Sequence, residues 1–268
     1  MPKLGPRDKQ PALVLGRRLA RLRLVDEALP LSLCDALSDD TSLGAIGRAG
    51  LSMDQLDALR FMLSRPRSAR RPLHPGLPLG TRGERLLVAD YRGKDQAVLQ
   101  LGAWGQAQGL SRRSAEGLEQ AVDELLLNAL FDAPCDQAGR PRYVGLSPRE
   151  RLSITAPPGE AAEVRFAADG RRVVVAVRDG FGALRRTTVL RYFRRCALAQ
   201  QARLSPLEQK AGGSGVGLYL VLGTASELFF RLRSGVSTEV VYTVYRDRPW
   251  SLRALLIEDD SSRGRLPT

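Results

Sequence analysis

The chain has few of the residues that staple a small protein or build a metal cage. Three of its 268 residues are cysteine: Cys34, Cys135 and Cys196. They lie far apart and form no C-x-x-C pair, which excludes a disulfide framework and a cysteine zinc site and suits a reducing compartment. They read as small apolar fillers. Aromatic residues make up only 6% and do not alternate with basic ones, so a stacking platform for single-stranded nucleic acid is excluded. No apolar run approaches the roughly 18–20 residues of a membrane span. The opening MPKLGPRDKQPALVLG has no apolar core of signal-peptide length, and a cytoplasmic protein with no membrane partner is expected. Lysine is scarce too: Lys3, Lys9, Lys94 and Lys210 are the four among 41 basic residues.

What is present is a hydrophobic content of 43%, enough for a real core, and a formal charge of +12 with a pI of about 10.4. Basic residues cluster in 1–23 and 60–85, a pattern that meets nucleic acid, acidic protein or phosphate. Arginine this dominant beside abundant Ala, Gly and Leu also follows from GC-rich coding. Stretch 41–60 allows a helix-turn-helix, but its glycines serve equally as a plain turn, and a nucleic-acid partner is not expected.

Organisation follows from periodicity and breakers. Residues 1–63 read as a basic helical region, with an amphipathic helix from Val14 to Leu29 and a second from Ser52 to Leu63. Pro66, Pro72, Pro75 and Pro78 mark 64–80 as a linker. Beyond it, helices are predicted at Lys94–Gln108, Ser114–Phe131, Arg185–Gln201 and Val216–Ala225. Strands are predicted at Arg85–Ala89, Arg151–Thr155, Glu163–Ala168, Arg171–Val177, Phe229–Arg233 and Glu239–Tyr245. Asp169-Gly170 is a hairpin turn. Residues 249–268 read as a flexible tail. The order implies an α+β fold, a mixed sheet with helices on one face.

Three stretches carry chemistry. In AVDELLLNALFDAP, Glu124 and Asn128 are four apart and share one helix face, although carboxylates and carboxamides are poor company for a core stripe. In VAVRDGFGAL a strand ends at Asp179 and turns through Gly182; that carboxylate can accept a hydrogen bond from an amino group such as adenine's. In AGGSGVGLYLV, Gly212, Gly213, Gly215 and Gly217 lead into a helix whose unsatisfied N–H groups suit an anion. Asn128 offers an amide oxygen of the kind Mg²⁺ prefers, and Glu124 can deprotonate a nucleophile.

In this order the stretches resemble the boxes of the GHKL (histidine-kinase-like) ATPase superfamily over about residues 90–248. ELLLNA is similar to the N box, DGFG to the first glycine box and GGSGVGL to the second. The resemblance implies a Bergerat ATP-binding sandwich, with ATP and Mg²⁺ as cofactors. It implies Glu124 as general base, Asn128 on magnesium, and Asp179 and Gly182 at the adenine. It further implies Gly213, Gly215, Gly217 and Leu218 around the phosphates, residues 183–212 as a lid, and Ser237 or Thr238 closing the adenine pocket. The first box departs from D-x-G-x-G. Aligning its glycines puts Arg178 where the acid belongs; aligning Asp179 puts Phe181 in place of the first glycine. Asp179 is preferred, because a guanidinium cannot accept adenine's hydrogen bond. Asp132-Ala133 stands where family members often have His-Ala.

His74 is the sole histidine, and Pro75 biases it away from helix, so histidine autophosphorylation is not expected. The run from Tyr91 to Leu130 resembles the stand-alone anti-sigma-factor serine kinases of bacteria. That implies phosphotransfer from ATP to a serine of a regulatory partner, a sigma factor or an antagonist-like protein, and a homodimer. The alternative is an ATP-sensing module that switches a partner without phosphotransfer.

Overall fold

The structure is a computed structural model, and it describes residues 13–14, 21–25, 43–48, 73–74, 77–78, 80–143, 145–201, 217–247 and 252–259. Its strands are β1 (Leu13–Val14), β2 (Arg21–Val25), β3 (Leu43–Arg48), β4 (Glu84–Val88), β5 (Ala162–Ala168), β6 (Arg172–Asp179), β7 (Glu227–Arg233), β8 (Ser237–Tyr245) and β9 (Ala254–Asp259). Its helices are α1 (Tyr91–Ala107), α2 (Arg112–Leu127), the single turn α3 (Pro148–Arg151), α4 (Arg186–Gln201) and α5 (Gly217–Thr224). Among the described residues the strands form one mixed sheet in the order β1-β2-β3-β9-β7-β8-β6-β5-β4. β2 runs parallel to β3 and β7 to β9, while the other neighbours are antiparallel. The fold is α+β, as expected.

Local chemistry sets the ends of these elements. Asp90 caps α1 by accepting the Gly93 N–H at 2.7 Å. Ser111 caps α2 by accepting the Ser114 N–H at 3.2 Å. Gly105 lets the two helices close up: a Cβ there would lie 3.0 Å from Leu118. The β5–β6 hairpin turns at Gly170, with φ +78°. Asp169 Oδ1 accepts the N–H groups of Arg171 and Arg172 at 3.0 Å each.

The helices pack on one face of the sheet. Ala121, Val122, Leu125 and Leu126 of α2, Val189 and Phe193 of α4, and Leu218 and Val221 of α5 join Val173, Val175, Val177, Phe230, Tyr242 and Ile257 in one apolar cluster. The opposite face is buried as well, including Val174, Phe229, Val241 and Leu256. It holds a charged ladder. Glu239 accepts from Arg231 at 2.5 Å and also from Arg165. Burial raises the Glu239 pKa, but the two guanidiniums overcome it and hold the carboxyl below its usual range.

Several expectations differ from the structure. The helix expected over Val14–Leu29 is a strand at 21–25. Arg21-Leu-Arg-Leu-Val alternates with period two, and pairing with β3 wins over the weaker helical pattern. Leu43–Arg48 is a strand too, which removes the first helix of a helix-turn-helix at 41–60. The helix expected at Ser52–Leu63 lies outside the described residues.

His74, within the stretch read as a linker, is buried. It is 1% exposed, 2.8 Å from Glu227 Oε2 and stacked on Phe229 at 5.3 Å between ring centroids. The tail is not loose at 254–259, where β9 lies between β3 and β7. Its apolar Ala254-Leu-Leu-Ile is buried, so this strand belongs to the core. The strand expected at Arg151–Thr155 is instead the end of α3 and a single bridge from Thr155 to Asp90. Among the described residues, no helix is long and apolar enough to cross a membrane.

Candidate functional site

The site begins where α2 stops being an α-helix. After Leu127 the Ala133 N–H donates to the Asn128 carbonyl at 2.8 Å, an i→i+5 bond that opens one wider turn over Asn128–Asp132. Such turns recur at functional sites, because an extra residue re-aims the side chains beyond it. Here Asn128, Ala129, Asp132 and Ala133 all line a single cavity of about 200 Å³. Its walls are Leu125, Ala129, Val177, Leu184, Leu218 and Val240, and its polar groups include Asn128, Asp132, Asp179, Thr188, Tyr192 and Thr238. A mostly apolar hollow with a few converging polar groups is the usual form of a small-molecule site.

Asp179 ends β6, and strand alternation decides its face. Val173, Val175, Val177 and Asp179 point the same way, toward the helices. Arg178 points to the other face, is exposed, and lies 3.7 Å from Glu163. Asp179, not Arg178, is therefore the residue of this box that reaches the cavity. Its Oδ1 accepts three backbone N–H groups, from Phe181 at 2.8 Å, Gly182 at 2.9 Å and Thr238 at 3.4 Å. Burial pushes the Asp179 carboxyl above its ordinary range, against the pull of those N–H donors. Thr238, opposite Asp179 in the β6–β8 register, also lines the cavity. Its hydroxyl is buried with no hydrogen-bond partner, yet is close enough to Asp179 to stabilise the carboxylate charge. A buried carboxylate and a hydroxyl side by side can meet a ligand with both a donor and an acceptor.

Gly182 has a backbone role. It sits at φ +61°, and a Cβ would strike the Arg233 carbonyl and come within 2.7 Å of the Val236 and Ser237 nitrogens. The glycine lets the Asp179–Gly182 turn lie flat on the β7–β8 turn, where its carbonyl accepts from Gly235 at 3.2 Å. Gly217 opens α5 against α2: a Cβ there would collide with the Glu124 carboxylate. Glu124 thus lies at the N-terminal turn of α5, one turn before Asn128, and Leu218 lines the cavity beside them. Gly213 and Gly215 lie outside the described residues.

The structure brings Asn128, Asp179, Thr238 and Leu218 to one cavity, with Glu124 and Gly217 in contact beside it. Sequence reasoning missed Thr188 and Tyr192, which α4 contributes from one face, four residues apart. Asp132 was noticed only as a departure, and its helical spacing from Asn128 was the available signal. Among the described residues no group of three acidic, histidine or cysteine side chains could cage a metal. A hard cation held through Asn128 would take its remaining oxygens from a bound ligand and water. No protein-family model matches the chain, and no curated protein is similar to it.

Proposed function

We propose that this cavity binds the adenine end of ATP, and that the protein is an ATP-dependent regulator of the anti-sigma-factor serine-kinase type. The observation that carries the reading is the buried Asp179 carboxylate beside the Thr238 hydroxyl, both lining one cavity between the apolar walls Leu125, Ala129, Val177 and Val240. An adenine presents an amino donor beside a ring-nitrogen acceptor on a flat apolar body, and these groups complement it. Bound ATP supplies the transferable phosphoryl group, with Mg²⁺ held through Asn128 and the phosphates. Glu124, at the start of α5, takes the proton of a partner's serine hydroxyl.

A second reading, a nucleotide sensor without phosphotransfer, draws support from Asp132. It adds a negative charge to the cavity wall where phosphotransfer would gain from a positive one.

Calorimetric titration with ATP, with and without Mg²⁺, tests the shared claim, and hydrolysis or partner phosphorylation on the same sample separates the two readings. Micromolar, magnesium-dependent binding with turnover is expected. Binding without turnover selects the sensor, and no binding at millimolar ATP refutes both.

A further inference from the structure

The face of the sheet turned away from the cavity carries a row of charges set by strand register. Glu163 of β5, Arg178 of β6, Glu239 of β8, Arg231 of β7 and Glu258 of β9 stand opposite one another on five adjacent strands, alternating in sign. Directly paired residues of neighbouring strands project from the same face, so the row is continuous. Its inner part is shielded: the Glu239 and Arg231 side chains are 10% and 7% exposed. Its outer part is open, with Arg178 43% exposed. The next place in the row is Leu87 of β4, opposite Glu163. Alternation would put a cation there, yet the residue is apolar and 62% exposed.

Around Leu87 the charges do not balance. Glu163 is 20% exposed and serves three guanidiniums, of Arg85 at 3.1 Å, Arg178 at 3.7 Å and Arg165 at 3.9 Å. Arg165 also donates to Glu239. Among the described residues Glu163 is the one carboxylate within ion-pair distance of Arg85 and Arg178. Sharing it leaves the two outer cations under-neutralised and repelling each other. A further carboxylate arriving between them would meet two exposed donors. Exposed ion pairs are weak singly and screened by salt, so they steer a partner more than they hold it. Leu87 adds the apolar contact that holds it, and a large apolar side chain ringed by polar groups is the usual anatomy of a protein interface. The same pattern disfavours nucleic acid, whose phosphates gain nothing from Leu87 and are repelled by Glu163.

We propose that this patch on β4, β5 and β6 docks an acidic segment of a partner protein, with an apolar side chain on Leu87 and carboxylates on Arg85 and Arg178. The inference does not rest on the nucleotide reading, because Arg178 and the residues in register with it face away from the cavity.

The test is fluorescence anisotropy of a labelled peptide of alternating Glu and Leu, titrated with the full chain at low and at physiological salt. Leu87→Ala, Arg85→Gln and Arg178→Gln alter the patch. Arg112→Gln is the control, removing the same charge from an 89% exposed side chain of α2, on the helical side of the sheet. The wild-type chain should bind the peptide, more tightly at low salt. Each patch variant that melts at the wild-type temperature should bind it about fivefold or more weakly, and Arg112→Gln within about twofold of wild type. No binding by the wild-type chain overturns the proposal. An equal loss in Arg112→Gln also overturns it, by showing attraction to net charge alone. Unchanged binding by Leu87→Ala, a truncation of one exposed side chain, removes the apolar contact and with it the case for a protein segment. A labelled DNA duplex is titrated in parallel. DNA binding that is lost in Arg85→Gln and Arg178→Gln, without peptide binding, assigns the patch to phosphate instead.

Discussion

The DGFG turn holds two glycines whose replacement by alanine should have opposite outcomes. At Gly182 an added methyl meets three costs. The backbone sits at φ +61°, where an L side chain loses about 1 kcal/mol relative to glycine. The methyl would strike the Arg233 carbonyl and crowd the Val236 and Ser237 nitrogens at 2.7 Å. These are backbone atoms of the β7–β8 turn, with no side-chain torsion to relieve them, and overpacking of this kind costs roughly 1–3 kcal/mol. Third, any shift of the turn stretches the 2.9 Å bond from the Gly182 N–H to Asp179. Burying one methyl returns at most about 0.8 kcal/mol, so the costs win. Gly182→Ala should lose about 2–4 kcal/mol, or roughly 5–15 °C in a chain of this size. At Gly180 a Cβ meets nothing within 4 Å and φ lies outside the left-handed region, so Gly180→Ala should stay within about 0.5 kcal/mol. Urea denaturation of both variants reads the difference directly. If Gly182→Ala is as stable as Gly180→Ala, the turn does not pack as described, and the geometry that positions Asp179 falls with it.

Three further outcomes are expected. Asp179→Asn keeps an oxygen for the Phe181, Gly182 and Thr238 N–H groups but turns an NH₂ into the cavity, so ATP affinity should fall at least about tenfold. Because burial raises the folded-state pKa of Asp179, the wild-type carboxylate costs stability at neutral pH, and that cost disappears as pH falls through the folded pKa toward the unfolded one. The Asn variant should therefore be no less stable at pH 7 and lack that gain on acidification; a clear loss of melting temperature at neutral pH contradicts the assignment. Glu239→Gln strips the counter-charge from Arg231 and Arg165 on the buried sheet face and should cost about 3–5 kcal/mol in urea unfolding. Its folded pKa is lowered, so its contribution is present above the unfolded pKa and fades as pH falls through the folded one; wild type and variant should converge in acid, and parallel pH curves would argue against the ladder. Glu124→Ala should keep ATP affinity while turnover drops by roughly 10²–10⁴, and unchanged turnover removes Glu124 as the base.

Much of the candidate site was legible because its residues break local rules. A carboxylate and a carboxamide on the apolar helix of ELLLNA, and a glycine-rich run before α5, are each expensive without a purpose, and the structure brings Glu124, Asn128 and Gly217 together. Thr188 and Tyr192 break no such rule. They are ordinary residues of an amphipathic helix, and only the packing of α4 puts them in the cavity. In the fold, β5 and β6 were legible from their hairpin turn. β9 was not, because Ala254-Leu-Leu-Ile is four apolar residues between polar flanks, and its pairing partners are 27 to more than 200 residues away in sequence. The start of β7 was hidden by Glu227, a charge no isolated strand would bury. Burial raises its pKa, but His74 offsets this from 153 residues away and holds the carboxyl below its usual range.

The β6 sequence held a further clue. A strand with one wet face alternates, but Val173-Val-Val-Ala-Val177 does not, and all five residues are buried. An uninterrupted apolar run therefore called for a cover on both faces of the sheet. That requirement bears on function through the last two residues of the strand. At Arg178 and Asp179 the run ends and alternation resumes, sending the cation to Glu163 on one face and the carboxylate to the cavity on the other. A one-residue slip of β6 against β8 would exchange them and place a guanidinium beside the Thr238 hydroxyl. The register Val173↔Val244 through Asp179↔Thr238 is thus a condition of the site as much as of the sheet. The apolar residues that hold this register, Val175 against Tyr242 and Val177 against Val240, position Asp179 although Val175 and Tyr242 do not line the cavity.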